Sequence, residues 1–307
     1  MRPYKVSIAT ACYNSEQFIE RTYQSIVNQR YEPLEWNVVV DGLTDTTLSI
    51  LESIQQAAPF RVNIIVFEVN RGSTAAVTAA VQACTGQFTM ILDHDDELMP
   101  DALHGLLRAW DAVSKTHDSS TLSGIFGRCV NERNEFLGRP TPPLIVGKLG
   151  HFLYQRRCRA ECAVLHRTDL VQKYYRFKPH ELGSTNGLVW NRIDREYDSI
   201  FTDLVVRRYY TDVAGSQSNS RKIKAPSALA NQELELLNDN VQYLLYDPIV
   251  LLKKIAMYHR YALHADRGLV SPMLALAHRE LRVASVCVWP IAWWLALKDQ
   301  RADRVED

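Results

Sequence analysis

The sequence predicts an α/β protein, a doubly wound, mostly parallel sheet flanked by helices and followed by a helical C-terminal extension. Three observations predict it. Strand-length apolar runs and helical stretches alternate four times in the first hundred residues, the pattern of a parallel sheet with crossover helices. The apolar runs show little polar alternation, as strands covered on both faces do. After Tyr209-Tyr210 the pattern changes to a polar stretch and then to long segments with apolar residues at helical spacing.

Each element has its own signal. Val6–Cys12 reads as a buried first strand, and Tyr13-Asn14-Ser15 as a turn whose polar side chains cap a helix carrying Phe18, Ile19, Tyr23 and Ile26. Glu35–Val40 is the second strand, running into Asp41-Gly42-Leu43-Thr44-Asp45, with a helix over 46–54. Asp45 reads as a turn or cap residue. The third strand, Val62–Val69, ends at Asn70-Arg71-Gly72-Ser73, which opens an alanine-rich helix reaching Cys84; Gly86 breaks it. The fourth strand, 88–92, runs straight into Asp93-His94-Asp95-Asp96-Glu97 and Pro100. Leu103, Leu106, Leu107 and Trp110 mark a helix over 103–113, 123–130 a strand, and 131–135 a hairpin turn. Thr141-Pro142-Pro143 marks a loop. The basic run 147–162 reads as a solvated helix face or a surface for a phosphate-bearing acceptor, and 188–197 as a helix.

Composition narrows the function classes. At 307 residues, with 35 basic and 35 acidic side chains, the chain has no net field to recruit nucleic acid. The six cysteines are scattered, without zinc-knuckle spacing, and read as reduced cytosolic thiols. No long apolar segment follows Met1, which argues against a secretory signal. No Gly-x-Gly-x-x-Gly follows the first strand, so a dinucleotide-binding reading fails.

Every early strand ends in polar or glycine residues, so one sheet edge collects Thr10, Tyr13, Asp41, Asn70, Arg71, Asp93 and Asp95. Asp93 and Asp95 repel one another unless a divalent ion or a helix N-terminus absorbs the charge, and hard oxygen donors suit Mg2+ or Mn2+. The acidic run therefore offers two readings, a metal site or an Asp96 cap on the next helix. The first predicts that Asp93 and Asp95 face the rim of Thr10, Asp41 and Asn70 rather than pair with lysine or arginine. His151 and His166 are weak further candidates for a metal shell.

Val6-Ser7-Ile8, Tyr13-Asn14, Val40-Asp41-Gly42-Leu43-Thr44-Asp45, Asn70-Arg71-Gly72 and Leu92-Asp93-His94-Asp95-Asp96, in this order and at these distances, resemble the family 2 glycosyltransferases of the GT-A fold. The resemblance covers residues 1 to about 215. It implies a GT-A-like domain over 1–215, with a nucleotide-sugar-binding half (1–99) and an acceptor half (100–215), and an extension over 216–307. It further implies a nucleotide-sugar donor, UDP-linked, with Thr10, Cys12 and Tyr13 against the base and Asp41 on the uracil or ribose. Asn70 and Arg71 lie on the same rim, Arg71 as a second positive contact; Asp93 approaches the ribose, and Asp95 holds the metal. Only one aspartate precedes Gly42 where the family shows two, which leaves the donor's identity less defined.

The family's catalytic carboxylate falls at Asn186, which cannot accept a proton. Glu181 and Asp203 are the candidate substitutes, an already ionised acceptor is a third account, and a catalytically degenerate, binding-only copy a fourth. Arg192 is read as contacting the diphosphate, orienting the base, or pairing with Asp194 or Glu196. The acceptor implied is a saccharide or lipid-linked sugar in surface polysaccharide synthesis. A nucleotidyltransferase is the rival enzyme class, and Ala9–Ser15 lacks the glycine-rich basic loop it needs.

In the tail, 212–227 reads as a loop or lid, and 228–237 and 248–264 as helices, the second striped by Leu251, Leu252, Ile255 and Tyr258. The run 283–297 spans roughly 22 Å as a helix, short of the ~30 Å hydrocarbon core. Its three tryptophans and basic flanks fit either a helix lying at the inner face of the cell membrane or one packed on protein. The expected location is cytoplasmic, and the oligomeric state is left open.

Overall fold

The first four strands, β1 (Val6–Cys12), β2 (Leu34–Asp41), β3 (Arg61–Phe67) and β4 (Phe88–Ile91), lie parallel in the order β3-β2-β1-β4. The structure, a computed structural model, describes residues 3–139, 142–158, 160–178, 181–183, 186–210, 223 and 225–306, with side chains up to 299. Every residue of β2 and all but one of β1 are buried, which explains why neither run alternates. Helices α1 (Ile19–Val27), α2 (Thr47–Ala57) and α3 (Ser73–Gln82) make the crossovers. Tyr23 of α1 stacks on Trp36 of β2, ring centroids 6.1 Å apart. The carboxylate of Asp45 accepts from the backbone N–H groups of Thr47 and Glu16, as a turn residue should.

Beyond β4 the sheet changes direction. The two-residue strand β5 (Glu97–Leu98) leads to α4 (Ala102–Val113), whose N-cap is Asp101, in the left-handed region at φ 58°. Asp96 does not cap this helix. Strands β6 (Leu122–Val130), β7 (Leu144–Gly147), β8 (Cys162–Arg167) and β9 (Asp198–Arg208) complete one sheet, with α5 (Thr168–Tyr174) after β8. Among the described residues the order is β3-β2-β1-β4-β8-β6-β9-β5, with β7 also on β9. β8 runs antiparallel to both β4 and β6, whereas β6 and β9 are parallel. The core of this unit runs from Val6 and Trp36 through Met90 and Leu103 to Ile200 and Val206.

The chain divides into two compact units, and the division is not a single cut at 215. The first holds 1–149, 158–176 and 196–213, and the second 150–157, 177–195 and 214–307. The second unit is helical: α6 (Asn186–Glu196), α7 (Pro226–Leu244), α8 (Pro248–His264), α9 (Val270–Ala275) and α10 (Arg279–Glu306). Leu237, Leu244, Ile255, Tyr258, Leu281 and Val288 belong to its core. The stripe expected on α8 holds except at Leu252, which is exposed. Of the segment read as a loop over 212–227, residues 212–222 lie outside the described residues, and Pro226 and Ser227 already form the first turn of α7. Thr141 and Arg159 also lie outside them. The basic run holds one π-helical turn, His151–Gln155, rather than a long helix face.

α10 extends well beyond 283–297. Over Arg279–Asp299 it is long and apolar enough to cross a membrane by length and composition, which corrects the expectation that the run is too short. Yet Leu281, Ser285, Val288, Ala292 and Ala296 are buried, and Asp299 accepts a bidentate pair from Arg260 of α8 at 2.7 Å. The outer face, with Val283, Val286, Ile291, Trp293 and Trp294, is exposed.

Candidate functional site

In an open sheet, ligands bind at the carboxyl ends of the strands where the strand order reverses. Here that point lies between β1 and β4, because the chain lays β2 and β3 on one side of β1 and then returns to place β4 on the other. The β1 ladder continues through Leu92 N–H to Ala9 O at 3.0 Å, and the acidic turn follows. Helix α1 fixes the turn's backbone. The Thr22 hydroxyl donates to the carbonyls of His94 (2.8 Å) and Asp96 (2.9 Å), and Arg21 donates to that of Asp95 (2.5 Å). His94 Nδ1 lies 3.1 Å from Ala11 O, and Asp96 N–H donates to Asp93 O at 3.2 Å.

The carboxylates, by contrast, are sorted into different environments. Asp96 is buried, accepts from Tyr210 N–H at 3.2 Å, and pairs with Arg207 at 3.3 Å. Burial pushes its pKa up; the Arg207 guanidinium opposes this, and Asp93 and Asp95 add to it. Asp93 keeps 46% of its side chain exposed and pairs with the same guanidinium at 3.2 Å. Glu161, half exposed, pairs with the other end of Arg207 at 2.9 Å. Among the described residues the Asp95 side chain, half-buried, makes no hydrogen bond or ion pair. Asp95 thus pairs with no lysine or arginine among the described residues, whereas Asp93, against the expectation, pairs with Arg207.

Two half-exposed carboxylates on a braced turn suit a hard divalent cation that takes its remaining ligands from phosphate and water, as Mg2+ does. No group of three His, Cys, Asp or Glu side chains among the described residues forms a ready-made metal shell. His166 is buried against Phe126 with its pKa lowered to about 4 by burial, and His151 engages Gln155 and Arg156, so neither serves as a ligand.

Residues 7–157 match the family model "Glycosyl transferase family 2". The chain belongs to this family. Its fold is GT-A-like: S. aureus TarS 1-349 in complex with UDP-GlcNAc superposes with a TM-score of 0.64 over 94% of this chain and 90% of that one, at 15% identity. The mannosyltransferase PcManGT from Pyrobaculum calidifontis, in complex with GDP-Man and Mn2+, gives 0.55 over 98% and 88%, at 16% identity. The putative teichuronic acid biosynthesis glycosyltransferase TuaG of Bacillus subtilis is 32% identical over 98 residues, 32% of this chain and 38% of that protein. Matches to the curated relatives cover well under half of their length, 38%, 29% and 38% for three of them.

Measured against a family 2 donor site, the other expected residues divide. Thr10 and Cys12 are corrected: both are fully buried, Thr10 accepts from Trp36 Nε1 at 2.9 Å, and burial pushes the Cys12 thiol up, so neither side chain reaches a base. Tyr13 is open, 44% exposed. Asp41 accepts from the N–H groups of Arg71 (2.6 Å) and Gly72 (2.9 Å), which bends the β3–α3 loop over the end of β2. Asn70 and Arg71 are exposed, the Arg71 guanidinium 4.4 Å from the Phe67 ring centre.

The catalytic candidates fare differently from Asp93 and Asp95. Glu181, in the second unit, is 6% exposed; it pairs with Arg192 at 2.5 Å and accepts from Lys178 N–H at 2.8 Å. Arg192 is divided between Glu181 and Glu235 (2.6 Å), not Asp194 or Glu196. Asn186 opens α6. Asp203 is exposed on β9, four residues before Arg207. Arg207 and Glu161 escaped sequence reasoning. The available signal was an arginine directly after the apolar run Leu204-Val205-Val206, in a strand that can bury a charge only against acids.

Proposed function

We propose that the chain is a metal-dependent inverting glycosyltransferase that moves a sugar from a nucleotide donor, UDP-linked, to a saccharide or lipid-linked acceptor in surface polysaccharide synthesis. One observation carries this reading. The backbone of the acidic turn is held from α1 at three consecutive carbonyls, yet among the described residues Asp95 is left unpaired beside the half-exposed Asp93 at the switch point of the sheet. A carboxylate held this way keeps its oxygens available to a hard cation. A divalent ion there supplies fixed positive charge against the departing diphosphate. Asp95 and Asp93 hold it, Tyr13 offers a ring to the base, and Arg71 offers a cation to the phosphates. TarS, bound to UDP-GlcNAc, supports a UDP donor, PcManGT supports Mn2+, and TuaG supports a surface polysaccharide. The outer stripe of α10 fits attachment at the inner membrane face through 283–297.

The test is thermal stabilisation and nucleotide diphosphate release with UDP-GlcNAc, UDP-glucose, UDP-galactose and GDP-mannose, each with and without Mn2+. One donor should raise the melting temperature in Mn2+ by mass action. Asp95→Ala should abolish that rise while changing the unliganded stability by less than about 0.5 kcal/mol, because the side chain makes no hydrogen bond or ion pair among the described residues. A rise that survives in Asp95→Ala, or none with any donor, overturns the reading. Binding without nucleotide release favours the binding-only copy, for which Asn186 and the fully engaged Glu181 speak.

A further inference from the structure

We propose that Glu161 takes the proton of the acceptor hydroxyl, an inference that rests on the glycosyltransfer reading above. The planar guanidinium of Arg207 holds Asp93 at Nη1 and Glu161 at Nη2, so the metal-side carboxylate and Glu161 are fixed one guanidinium apart. The backbone at Glu161 is pinned too. Its N–H donates to Leu137 O at 2.9 Å, and its carbonyl accepts from Cys129 N–H at 3.1 Å. Half of its side chain is exposed, and Oε2 makes no contact among the described residues. A carboxylate held in place by a buried cation, with one oxygen open, is suited to proton removal.

The other candidates lack that combination. Both oxygens of Glu181 are engaged and buried, Asn186 has no basic lone pair, and Asp203 lies about 13 Å along β9 from Arg207 at the usual strand rise. In the step itself the acceptor oxygen bonds to the anomeric carbon. The bond from that carbon to the phosphate oxygen breaks, its electron pair leaves with the nucleotide diphosphate, and the hydroxyl proton passes to Glu161 Oε2. Inverting glycosidases use a carboxylate on an attacking water in the same way.

The experiment uses the full chain, Mn2+, the four donors named above, and water as the acceptor, read as nucleotide release. For whichever donor the wild type turns over, Glu161→Gln should lower kcat by about 10²- to 10⁴-fold. The donor's thermal stabilisation should stay within about twofold in binding terms. The acidic limb of the kcat–pH profile should disappear, and added formate should restore turnover to Glu161→Ala in proportion to its concentration. Glu161→Gln with near-wild-type kcat and its acidic limb intact overturns the assignment. So does a loss that formate does not relieve, which marks Glu161 as a strut for Arg207. A wild type that releases nucleotide from none of the four donors overturns the glycosyltransfer reading and this inference together, whereas failure of the Glu161 variants alone leaves the Asp95 results standing.

Discussion

Glu35 offers the best-defined test of how the sheet holds the switch point open. It sits at the amino end of β2, 2% exposed, and its carboxylate accepts from Ser7 Oγ (2.6 Å), Thr85 N–H (2.7 Å) and Thr85 Oγ1 (2.9 Å) and pairs with Lys5 (2.7 Å). One side chain thus ties β1, β2 and the turn before β4 together at the end opposite the acidic turn. Burial alone raises its pKa, but the bonds from Lys5, Ser7 and Thr85 outweigh burial and bring it from 4.5 down to about 2. A carboxyl depressed this far contributes about 3 kcal/mol at neutral pH. Because the folded pKa is the lower one, that stability is present above about 4.5 and is lost as pH falls toward 2. Glu35→Gln should cost about 2–3 kcal/mol at pH 7, with a gap from wild type that closes between pH 4.5 and 2. Amide exchange of β1 and β2, read at several pH values, reports on this sheet apart from the helical unit. A cost below about 0.5 kcal/mol at pH 7, or a gap that ignores pH, refutes the reasoning.

Three further outcomes follow from particular contacts. A Cβ on Gly124 would meet Leu165 O at 2.5 Å and the Cα of His166 at 2.7 Å, both backbone of β8. Gly124→Ala should therefore cost about 2 kcal/mol or more and lower the calorimetric melting temperature by several degrees; an unchanged value contradicts the close approach of β6 and β8. Arg207→Met strips the cation from buried Asp96 and should cost about 3–5 kcal/mol, measured by urea denaturation, with Asp96→Asn in the same chain recovering part of it; strict additivity of the two changes argues against their pairing. Trp293→Ser combined with Trp294→Ser should weaken sedimentation with vesicles containing anionic lipid by at least about tenfold. Equal sedimentation of both forms shows that the outer face of α10 does not meet lipid.

Much of the fold was legible because both-face burial and helical spacing are local signals. β1 to β4 and α1 to α4 fall within a few residues of their predicted bounds, and α8 begins and ends at Pro248 and His264 as read. What escaped depends on distant partners. α7 begins at Pro226, in a stretch whose polar composition suggested a loop, because proline suits the first helical turn and Leu237, Val241 and Leu244 find a core. In the site, the sequence located the acidic turn but could not sort its carboxylates, since the arginine that divides them lies more than a hundred residues away. Thr10 falls on the expected rim because it stands near the strand's end, and the family resemblance sets it and Cys12 against the base. Side-chain direction within β1 decides that question, and it turns both into the core.

The same arginine explains how four acidic residues within five positions can coexist at the end of one strand. Like charges this close repel, and the structure relieves them unevenly. Asp96 is buried against Arg207, and Glu97 is drawn off to Arg208 (2.8 Å) and the Tyr210 hydroxyl (2.9 Å). Asp93 shares the same guanidinium, and Asp95 has no partner among the described residues. Helix α1 then prevents the turn from relaxing, since Arg21 and Thr22 hold its carbonyls whatever the carboxylates do. Among the described residues Asp95 alone of the four is left without a hydrogen bond or ion pair, on a turn whose backbone cannot move to find one.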